Sequence, residues 1–246
     1  MGRVTAPVAV PSIVRLGRVA STQAVAFALA ADGAPDRTVV VAESQAAGRG
    51  RRGRAWLDEP GASLLTSIVL RPRLAPAQLP ALSLTAAVAV AEALAAVAGL
   101  APRLKWPNDV LVDGRKIAGI LLESRLDPSP LVVLGVGINV RQRTFPADVG
   151  DRATSVRLAS GREVALDAVL AALLEALDRW RERLERDGFE PARVRWRTLA
   201  DTLGRTVTVD GVRGVAMDVD ADGALVIVDG GHRQRVLAGD VGEETA

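Results

Sequence analysis

Four arginines and three glycines stand together in residues 48–54, and a tryptophan, Trp56, follows them. Glycine has no Cβ atom and tolerates positive φ, so the backbone of such a segment can approach a ligand closely. Arginine carries a fixed positive charge and paired donors that match carboxylate or phosphate. We call residues 48–54 the arginine loop. It is predicted to close over anions, and to be mobile and self-repelling without them.

Positive charge is concentrated in this loop, as the charge of the remaining chain shows. The 246 residues include 31 basic and 29 acidic residues, for a formal net charge of +2. Without the four loop arginines, 27 basic residues face 29 acidic ones. This distribution argues against a generally basic surface that binds nucleic acid.

Only two of the basic residues are lysines, Lys105 and Lys116, and both lie in one short segment. A lysine offers a compact, flexible ammonium group that arginine does not imitate. Their placement in a chain that otherwise uses arginine indicates a functional role. Chance placement on a strand surface is the alternative.

The amino-acid composition excludes several kinds of catalytic chemistry. The absence of cysteine excludes disulfides, thiolate catalysis and zinc–thiolate sites. The single histidine, His232, is interpreted as structural, so neither a histidine triad nor a histidine-rich metal site is expected. Any chemistry must then depend on Arg, Lys, Asp, Asn and backbone amides, which means electrostatic positioning.

Hydrophobic periodicity and turn residues predict an α+β fold with a mixed sheet and flanking helices. The predicted strands are 13–19, 38–42, 63–70, 110–112, 116–124 and 131–136, and the predicted helices are 23–31, 75–98, 166–187 and 191–199. Asp113-Gly114 between apolar residues predicts a hairpin. Short strands at 205–209, 212–219, 224–228 and 233–237, separated by glycine turns, are typical of a small β-barrel.

This pattern predicts a flexible leader at residues 1–11, a main domain at 12–202 and a barrel domain at 203–246. No apolar run is expected to reach the roughly 18–20 residues of a membrane span, and residues 81–100 come nearest. No signal peptide is visible, and a cytoplasmic protein that does not bind membranes is expected.

Four motifs appear in a fixed order: Ser21-Thr22-Gln23, Gln45 with the arginine loop, Lys105 to Asp109, and Gly114 to Leu121. Together they resemble the biotin protein ligases of the bacterial type, over about Val14 to Gly242. The resemblance implies the class II synthetase-like fold of biotin and lipoate ligases, with an SH3-like C-terminal barrel. It also implies that biotin and ATP, with Mg²⁺, give biotinyl-5′-AMP. Biotin then passes to one lysine of a biotin carboxyl carrier domain of a carboxylase.

The resemblance also assigns residues to roles. The implied biotin contacts are Ser21, Thr22, Gln23, Gln45, Gly48, Arg49, Gly50, Arg51, Lys116, Gly119, Gly135 and Gly137. The implied ATP or adenylate contacts are Arg51, Arg54, Trp56, Asn108, Lys116 and Asn139. The implied catalytic residues are Lys116, Arg49, Arg51 and Asp109, and no protein residue is assigned to metal.

Four of these expectations concern specific contacts. Ser21 to Gln23 should hydrogen-bond the ureido ring, and Gln23 stands where some relatives have asparagine. The three glycines after Lys116 should line a biotin slot that a side chain would obstruct. Asp109 should orient or deprotonate the acceptor lysine, while Trp56 should pack near adenine.

The chemistry of adenylation matches these residue types. Biotin carboxylate must be pressed against the α-phosphate of ATP, and fixed cations offset their repulsion by several kcal/mol at low dielectric. The step requires no proton transfer, in keeping with the scarcity of histidine. Some relatives carry an N-terminal winged helix-turn-helix that is not seen before the first strand here, so a ligase without DNA binding, as a monomer or homodimer, is expected.

Competing interpretations remain at this point. A lipoate–protein ligase shares the implied fold and adenylation logic, and an RNA- or DNA-binding module could also use an Arg/Gly loop. Individual residues have simpler explanations too: Ser21 as a helix cap, Trp56 as a core anchor, Asn108 in a turn and Gly135 at a strand end.

Overall fold

A seven-stranded mixed sheet forms the larger part of the protein, in a computed structural model that describes residues 11–126 and 131–243. The strand order is β1-β2-β3-β7-β6-β5-β4. β1 and β2 are parallel, and all other neighbours are antiparallel. The strands are β1 (Ile13–Val19), β2 (Val39–Gln45), β3 (Ser63–Leu70), β4 (Arg103–Lys105), β5 (Asp109–Val112), β6 (Arg115–Arg125) and β7 (Leu131–Asn139).

Helices cover both faces of this sheet. One face packs against α1 (Thr22–Ala31), through a small cluster that includes Ala26, Val40 and Val133. The other face packs against the apolar helix α2 (Leu79–Ala98), which α4 (Leu166–Asp187) and α5 (Glu190–Leu199) cover in turn. A short helix, α3 (Val156–Ser160), precedes α4. The amphipathic pattern of α4 explains its position, since its buried residues repeat at helical spacing.

Residues 206–243 form a separate five-stranded antiparallel sheet in the order β11-β10-β9-β8-β12. Its strands are β8 (Thr206–Val209), β9 (Val212–Val219), β10 (Leu225–Asp229), β11 (His232–Val236) and β12 (Gly242–Glu243). The small barrel is joined to the larger part through Trp106, which is 2% exposed. Its indole N–H donates to the Gly223 carbonyl (3.0 Å). Buried apolar residues of the barrel belong to the same core cluster as α2.

The predicted α+β fold with a C-terminal barrel is confirmed, and the structure refines its boundaries. The Asp113-Gly114 hairpin connects β5 and β6, with φ values of 50° and 73°. Helix α2 begins at Leu79 rather than at residue 75, because Pro76–Gln78 forms a separate 3₁₀ turn. The predicted leader lies outside the described residues except for Pro11. The division at residue 203 stays a prediction.

The expectation about membrane-length runs is corrected by the helical segment Pro76–Ala98. It spans 23 residues and is apolar enough to cross a membrane by length and composition. However, 72% of its most apolar window is buried inside the protein, as in the core helix of a globular fold. Its apolar character is explained by packing between the sheet and α4.

Candidate active site

The arginine loop lies between β2 and β3 and is closed by its own backbone. The Gly50 N–H donates to the Arg54 carbonyl (2.7 Å), and the Trp56 N–H donates to the Gly48 carbonyl (3.0 Å). A Cβ atom at Gly48 would lie 2.8 Å from the Trp56 carbonyl oxygen, so only glycine allows this approach. Arg51–Gly53 forms a 3₁₀ turn at the tip of the loop, with Arg52 at a φ of 55°.

A first cavity of about 140 Å³ lies beneath the loop and brings together most of the predicted biotin residues. The predicted residues that line it are Ser21, Thr22, Gln23, Gln45, Arg49, Gly50, Arg51, Arg54, Trp56, Asn108, Lys116, Gly119, Gly135 and Gly137. The motifs that are scattered along the sequence therefore meet at one place. The cavity has a polar end on α1 and β3 and a cationic side formed by the loop and Lys116.

A hydrogen-bond network organises the polar end. Gln45 Oε1 accepts from the backbone N–H of Thr22 (2.8 Å) and from its hydroxyl (3.1 Å). Ser67 Oγ lies 2.8 Å from Thr22 Oγ1 and 3.0 Å from Gln23 Oε1. It can donate its single proton to only one of them at a time. Ser21 caps α1 by accepting from the Gln23 N–H (3.3 Å).

Ser67 was not identified from the sequence. It is fully buried in the middle of β3, beside Thr66, which is also buried. Two adjacent hydroxyl residues inside a strand that is otherwise apolar after Ser63 are the signal that could have drawn attention to it, because buried polar groups need partners.

The Gln23 amide is already engaged within the protein. Its Nε2 donates to the carbonyls of Val133 (3.0 Å) and Leu121 (3.4 Å), and the residue is 3% exposed. A Cβ atom at Gly135 would lie 2.6 Å from Gln23 Oε1. The glycine at 135 is therefore required by a protein side chain. The expectation from the sequence was that a side chain at position 135 would obstruct biotin. A direct contact of Gln23 with biotin stays a prediction.

Trp56 packs against the two other glycines of the predicted slot. A Cβ atom would lie 2.6 Å from the ring at Gly137 and 2.9 Å from it at Gly119. The indole Nε1 is buried without a hydrogen-bond partner, and Lys116 Nζ lies 5.8 Å from the ring centroid. The flat floor made by the two glycines thus accommodates a planar ring.

A second cavity of about 510 Å³ adjoins the first. The two share Arg54, Ala55, Trp56 and Lys116. The second cavity also contains Lys105, Asp109 and Asn139, together with residues that the sequence analysis did not select: Leu57, Phe145, Val149, Arg152, Asp201 and Arg205. Lys116 therefore lies at the junction of two adjacent binding spaces.

Carboxylates face the cations around both cavities. Lys116 Nζ and Asp109 Oδ1 form an ion pair at 2.6 Å. The angles at these atoms do not meet the requirements of a hydrogen bond, so Oδ1 accepts none. Arg49 donates to Glu123 (2.9 Å). Burial lowers the pKa of Arg51, and nearby Asp240 partly offsets that effect. An incoming anion would thus exchange with carboxylates of the protein.

The two predicted asparagines fix the backbone around the site. Asn108 Nδ2 donates to the Ile120 carbonyl (2.8 Å). Asn139 is 5% exposed, donates to the Thr154 carbonyl (3.1 Å) and accepts from Gln142 (3.4 Å). Their contacts with nucleotide stay predictions, while their structural bonds are direct observations.

The described residues contain no group of three or more His, Cys, Asp or Glu side chains that could hold a metal ion. Two carboxylates line the second cavity, and Asp109 is paired with Lys116 while Asp201 is paired with Arg205. These residues do not fit a magnesium site held by the protein itself. A metal that accompanies ATP would be coordinated by phosphate oxygens and water.

Comparison with known proteins agrees with this arrangement. Residues 16–139 match the model of the biotin/lipoate A/B protein ligase family. A biotin–[acetyl-CoA-carboxylase] ligase of Paracoccus denitrificans is 39% identical over 241 residues, covering 92% of this chain and 98% of that protein. The bifunctional ligase/repressor BirA of Bacillus spizizenii is 35% identical over 231 residues, covering 91% of this chain and 71% of that protein.

A solved structure of the Aquifex aeolicus biotin protein ligase in complex with biotin and ATP gives a TM-score of 0.85 at 28% identity. The similarity covers 96% of this chain and 99% of that one. Because the match extends over the sheet, the arginine loop and the barrel together, the chain belongs to the biotin/lipoate A/B protein ligase family.

Proposed function

We propose that this chain is an ATP-dependent biotin protein ligase. It activates biotin to biotinyl-5′-AMP and transfers biotin to a lysine of a biotin carboxyl carrier domain. The observation that carries the proposal is the first cavity. It has neutral hydrogen-bonding groups at one end and cations along one side. Thr22 and Gln45 line this cavity with donors and acceptors that suit a ureido ring, and the buried Ser67 hydroxyl lies within hydrogen-bond distance of Thr22. Arg49, Arg51 and Lys116 suit a carboxylate.

The polar end also favours biotin over lipoate. The dithiolane ring of lipoate has no strong hydrogen-bonding group, so it would leave the polar side chains of Thr22 and Gln45, which line the cavity, without a ligand partner. A site built to hydrogen-bond a substrate discriminates strongly against an analogue that lacks the matching groups. The lipoate ligases of the same family are thus the less favoured alternative.

Lys116 lines both cavities, and this position allows it to contact both reacting groups of the adenylation step. The biotin carboxylate attacks the α-phosphate, a C–O–P bond forms, and the bond to pyrophosphate breaks with departure of the leaving group. Lys116 and Arg51 stabilise the negative charge that the two reacting groups bring together. Arg54, which lines both cavities, is placed to contact the triphosphate. Magnesium, when bound with ATP, supplies further charge neutralisation.

Transfer of biotin requires a neutral amine on the carrier domain. The amine attacks the acyl carbon of the adenylate, the C–O bond to AMP breaks, and the ammonium proton must be accepted by a base. Asp109 lies in the second cavity, and its Oδ1 is paired with Lys116 Nζ at 2.6 Å. We assign it to orient the acceptor lysine and to take its proton.

The biological setting is part of the same proposal. The partner is the biotin carboxyl carrier domain of acyl-CoA carboxylases, and the protein acts in the cytoplasm without binding DNA. The loop arginines serve the two substrate anions rather than a nucleic-acid backbone.

The deciding experiment is biotin-dependent ATP–pyrophosphate exchange, followed by transfer to a purified carrier domain. We expect exchange only with biotin, and a covalently biotinylated carrier after ATP is added. Competition between biotin and lipoate separates the two ligase activities. Lipoyl transfer without biotinyl transfer would refute the assignment. Steeply salt-dependent binding of nucleic acid without any exchange would favour a nucleic-acid-binding module.

A further inference from the structure

One arginine of the loop is turned away from both cavities. Arg52 lines neither the first nor the second cavity, is exposed and has a φ of 55°. Its guanidinium donates to the carboxylate of Asp210 in the C-terminal barrel. Arg54 likewise donates to Asp240 of the barrel (2.6 Å). Two of the four loop arginines are thus bound to residues more than 150 positions away in the sequence.

The segment of the barrel that carries Asp240 packs against the turn that carries Asp210. Asp210 occupies the turn between β8 and β9, with a φ of 47°. Gly239, next to Asp240, has a φ of +150°, and a Cβ atom there would overlap the side chain of Val209 and lie 3.3 Å from Asp210 Oδ2. The segment that carries Asp240 can therefore pack against the Asp210 turn only because residue 239 is glycine.

Electrostatics explains why the paired acids suit this loop. The nearby charges of Arg52 and Arg54 act to lower the pKa of the half-buried Arg51, whereas Asp240 acts to raise it. Like charges within one short segment repel. Placing the acids of the barrel against the arginines of the loop relieves this repulsion.

We propose that Asp210 and Asp240 are positioning residues, which hold the arginine loop closed over the two cavities by binding Arg52 and Arg54. They act through the loop and do not touch the reacting atoms. With the loop held at its outer side, Arg49 and Arg51 remain directed into the first cavity. This inference rests on the proposed ligase function for its effect on catalysis, but the contact itself can be tested independently of activity.

Other ion pairs of the same barrel provide a matched control. Arg235 donates to Asp222 (2.7 Å) and its Nε lies 2.7 Å from Asp220, within the barrel and without a loop residue. These aspartates have exposures similar to that of Asp240. Replacing Asp220 and Asp222 by asparagine changes the charge of the barrel as much as replacing Asp210 and Asp240 does. It leaves the contacts with the arginine loop intact.

The first test compares Asp210→Asn/Asp240→Asn with Asp220→Asn/Asp222→Asn by limited chymotrypsin digestion. Cleavage after Trp56 and Leu57 reports loop opening, and neither substitution alters these cleavage sites. Exposed ion pairs are individually weak, so we expect cleavage at these two positions to accelerate by about two- to tenfold in the first variant only. Equal cleavage rates in both variants and the wild type would overturn the proposal.

The second test measures how long biotinyl-5′-AMP is retained. Loss of the loop contacts should speed adenylate release and hydrolysis several-fold and raise KM for biotin more than it lowers kcat. Urea unfolding should change no more than in the control variant. Asp210→Arg should give the fastest release, and Arg52→Asp/Asp210→Arg should restore retention, which a merely structural role of Asp210 does not predict.

The two proposals fail in different ways. Absence of pyrophosphate exchange in the wild type would refute the ligase function, while the digestion experiment would still report on the loop contact. Wild-type exchange together with unchanged digestion and adenylate retention in Asp210→Asn/Asp240→Asn would refute the positioning role alone.

Discussion

Substitution of Gly135 by alanine should destabilise the protein through Gln23, even though the position lies in the wall of the first cavity. The new methyl group would stand 2.6 Å from Gln23 Oε1 and 3.4 Å from the Leu121 carbonyl oxygen. Gln23 cannot move aside freely, because its amide donates to the Val133 and Leu121 carbonyls and the residue is buried. Either these hydrogen bonds or the strand geometry must yield.

The expected cost combines three effects. Inserting a methyl group into a packed site costs about 1–3 kcal/mol. Weakening one of the Gln23 hydrogen bonds adds about 1 kcal/mol. Replacing glycine by alanine restricts the unfolded chain and returns about 0.4–1 kcal/mol where the native conformation is allowed. The free energy of unfolding should therefore fall by about 1–3 kcal/mol.

A double-mutant cycle in urea isolates the contact. Gly135→Ala is measured in the wild type and in a Gln23→Ala background, where the methyl group has space. We expect the cost to disappear largely in that background, which gives a coupling energy above about 1 kcal/mol. An equal loss in both backgrounds would refute the collision. So would unchanged stability with a raised KM for biotin, because the methyl group would then meet the ligand instead.

Three further outcomes are expected. Lys116→Ala should lower biotin-dependent pyrophosphate exchange by about 100-fold or more with an unchanged circular dichroism spectrum, because a charge between the two reacting anions is lost; exchange near the wild-type rate would exclude Lys116 from the step. Asp109→Asn should preserve exchange but slow transfer to the carrier in single-turnover assays, and equal slowing of both steps would contradict its role. Burial acts to raise the pKa of Glu92, but hydrogen bonds from Trp180, Arg179 and Arg195 outweigh it, so the pKa lies below the ordinary 4.5. Its stabilisation is present above that value and is lost as the pH falls through the folded-state pKa. Glu92→Gln should therefore lower stability by about 1 kcal/mol near pH 7, after allowance for solvent screening, and the difference should diminish in urea titrations as the pH falls below 4.5.

Much of the fold could be predicted because its local signals agree with its tertiary environment. The alternating pattern of β1, the β-branched run of β2 and the Asp113-Gly114 turn each specify one structure. The strand Arg103–Lys105 was missed since three residues beside a proline carry little periodic signal. It exists because it pairs with β5 and because Leu104 forms a bridge to Ala200.

The candidate site was predictable in its residue types and less so in its contacts. The arginine loop and Lys116 stand out by composition, and the structure brings them to one cavity. Ser67 was missed because its partners lie 44 and 45 residues away, and the partner of Gly135 is set by how α1 crosses β7. Such contacts depend on register and packing, which no local pattern encodes.

The expectation of a self-repelling loop also needs a physical revision. Glu123, Asp210 and Asp240 supply carboxylates to its arginines from β6 and the barrel. Repulsion among the loop arginines is therefore relieved by the protein itself. An arriving substrate anion that binds Arg49 or Lys116 gains only the difference between its own interaction and that of Glu123 or Asp109, which it replaces. Substrate binding is thus an exchange of ion-pair partners, which favours a ligand that presents two anionic groups at once.

The same exchange of ion-pair partners, at Lys116, links adenylation to the transfer of biotin. While Lys116 is paired with Asp109, its ammonium group lies 2.6 Å from the carboxylate oxygen Oδ1 that would accept the proton. When Lys116 turns to the biotin carboxylate and the α-phosphate, that oxygen of Asp109 becomes free for the acceptor lysine. A base for the acceptor lysine therefore becomes available only after the anions of the first step are in place. One ion pair at the junction of two cavities can thus order adenylation before transfer without any further residue.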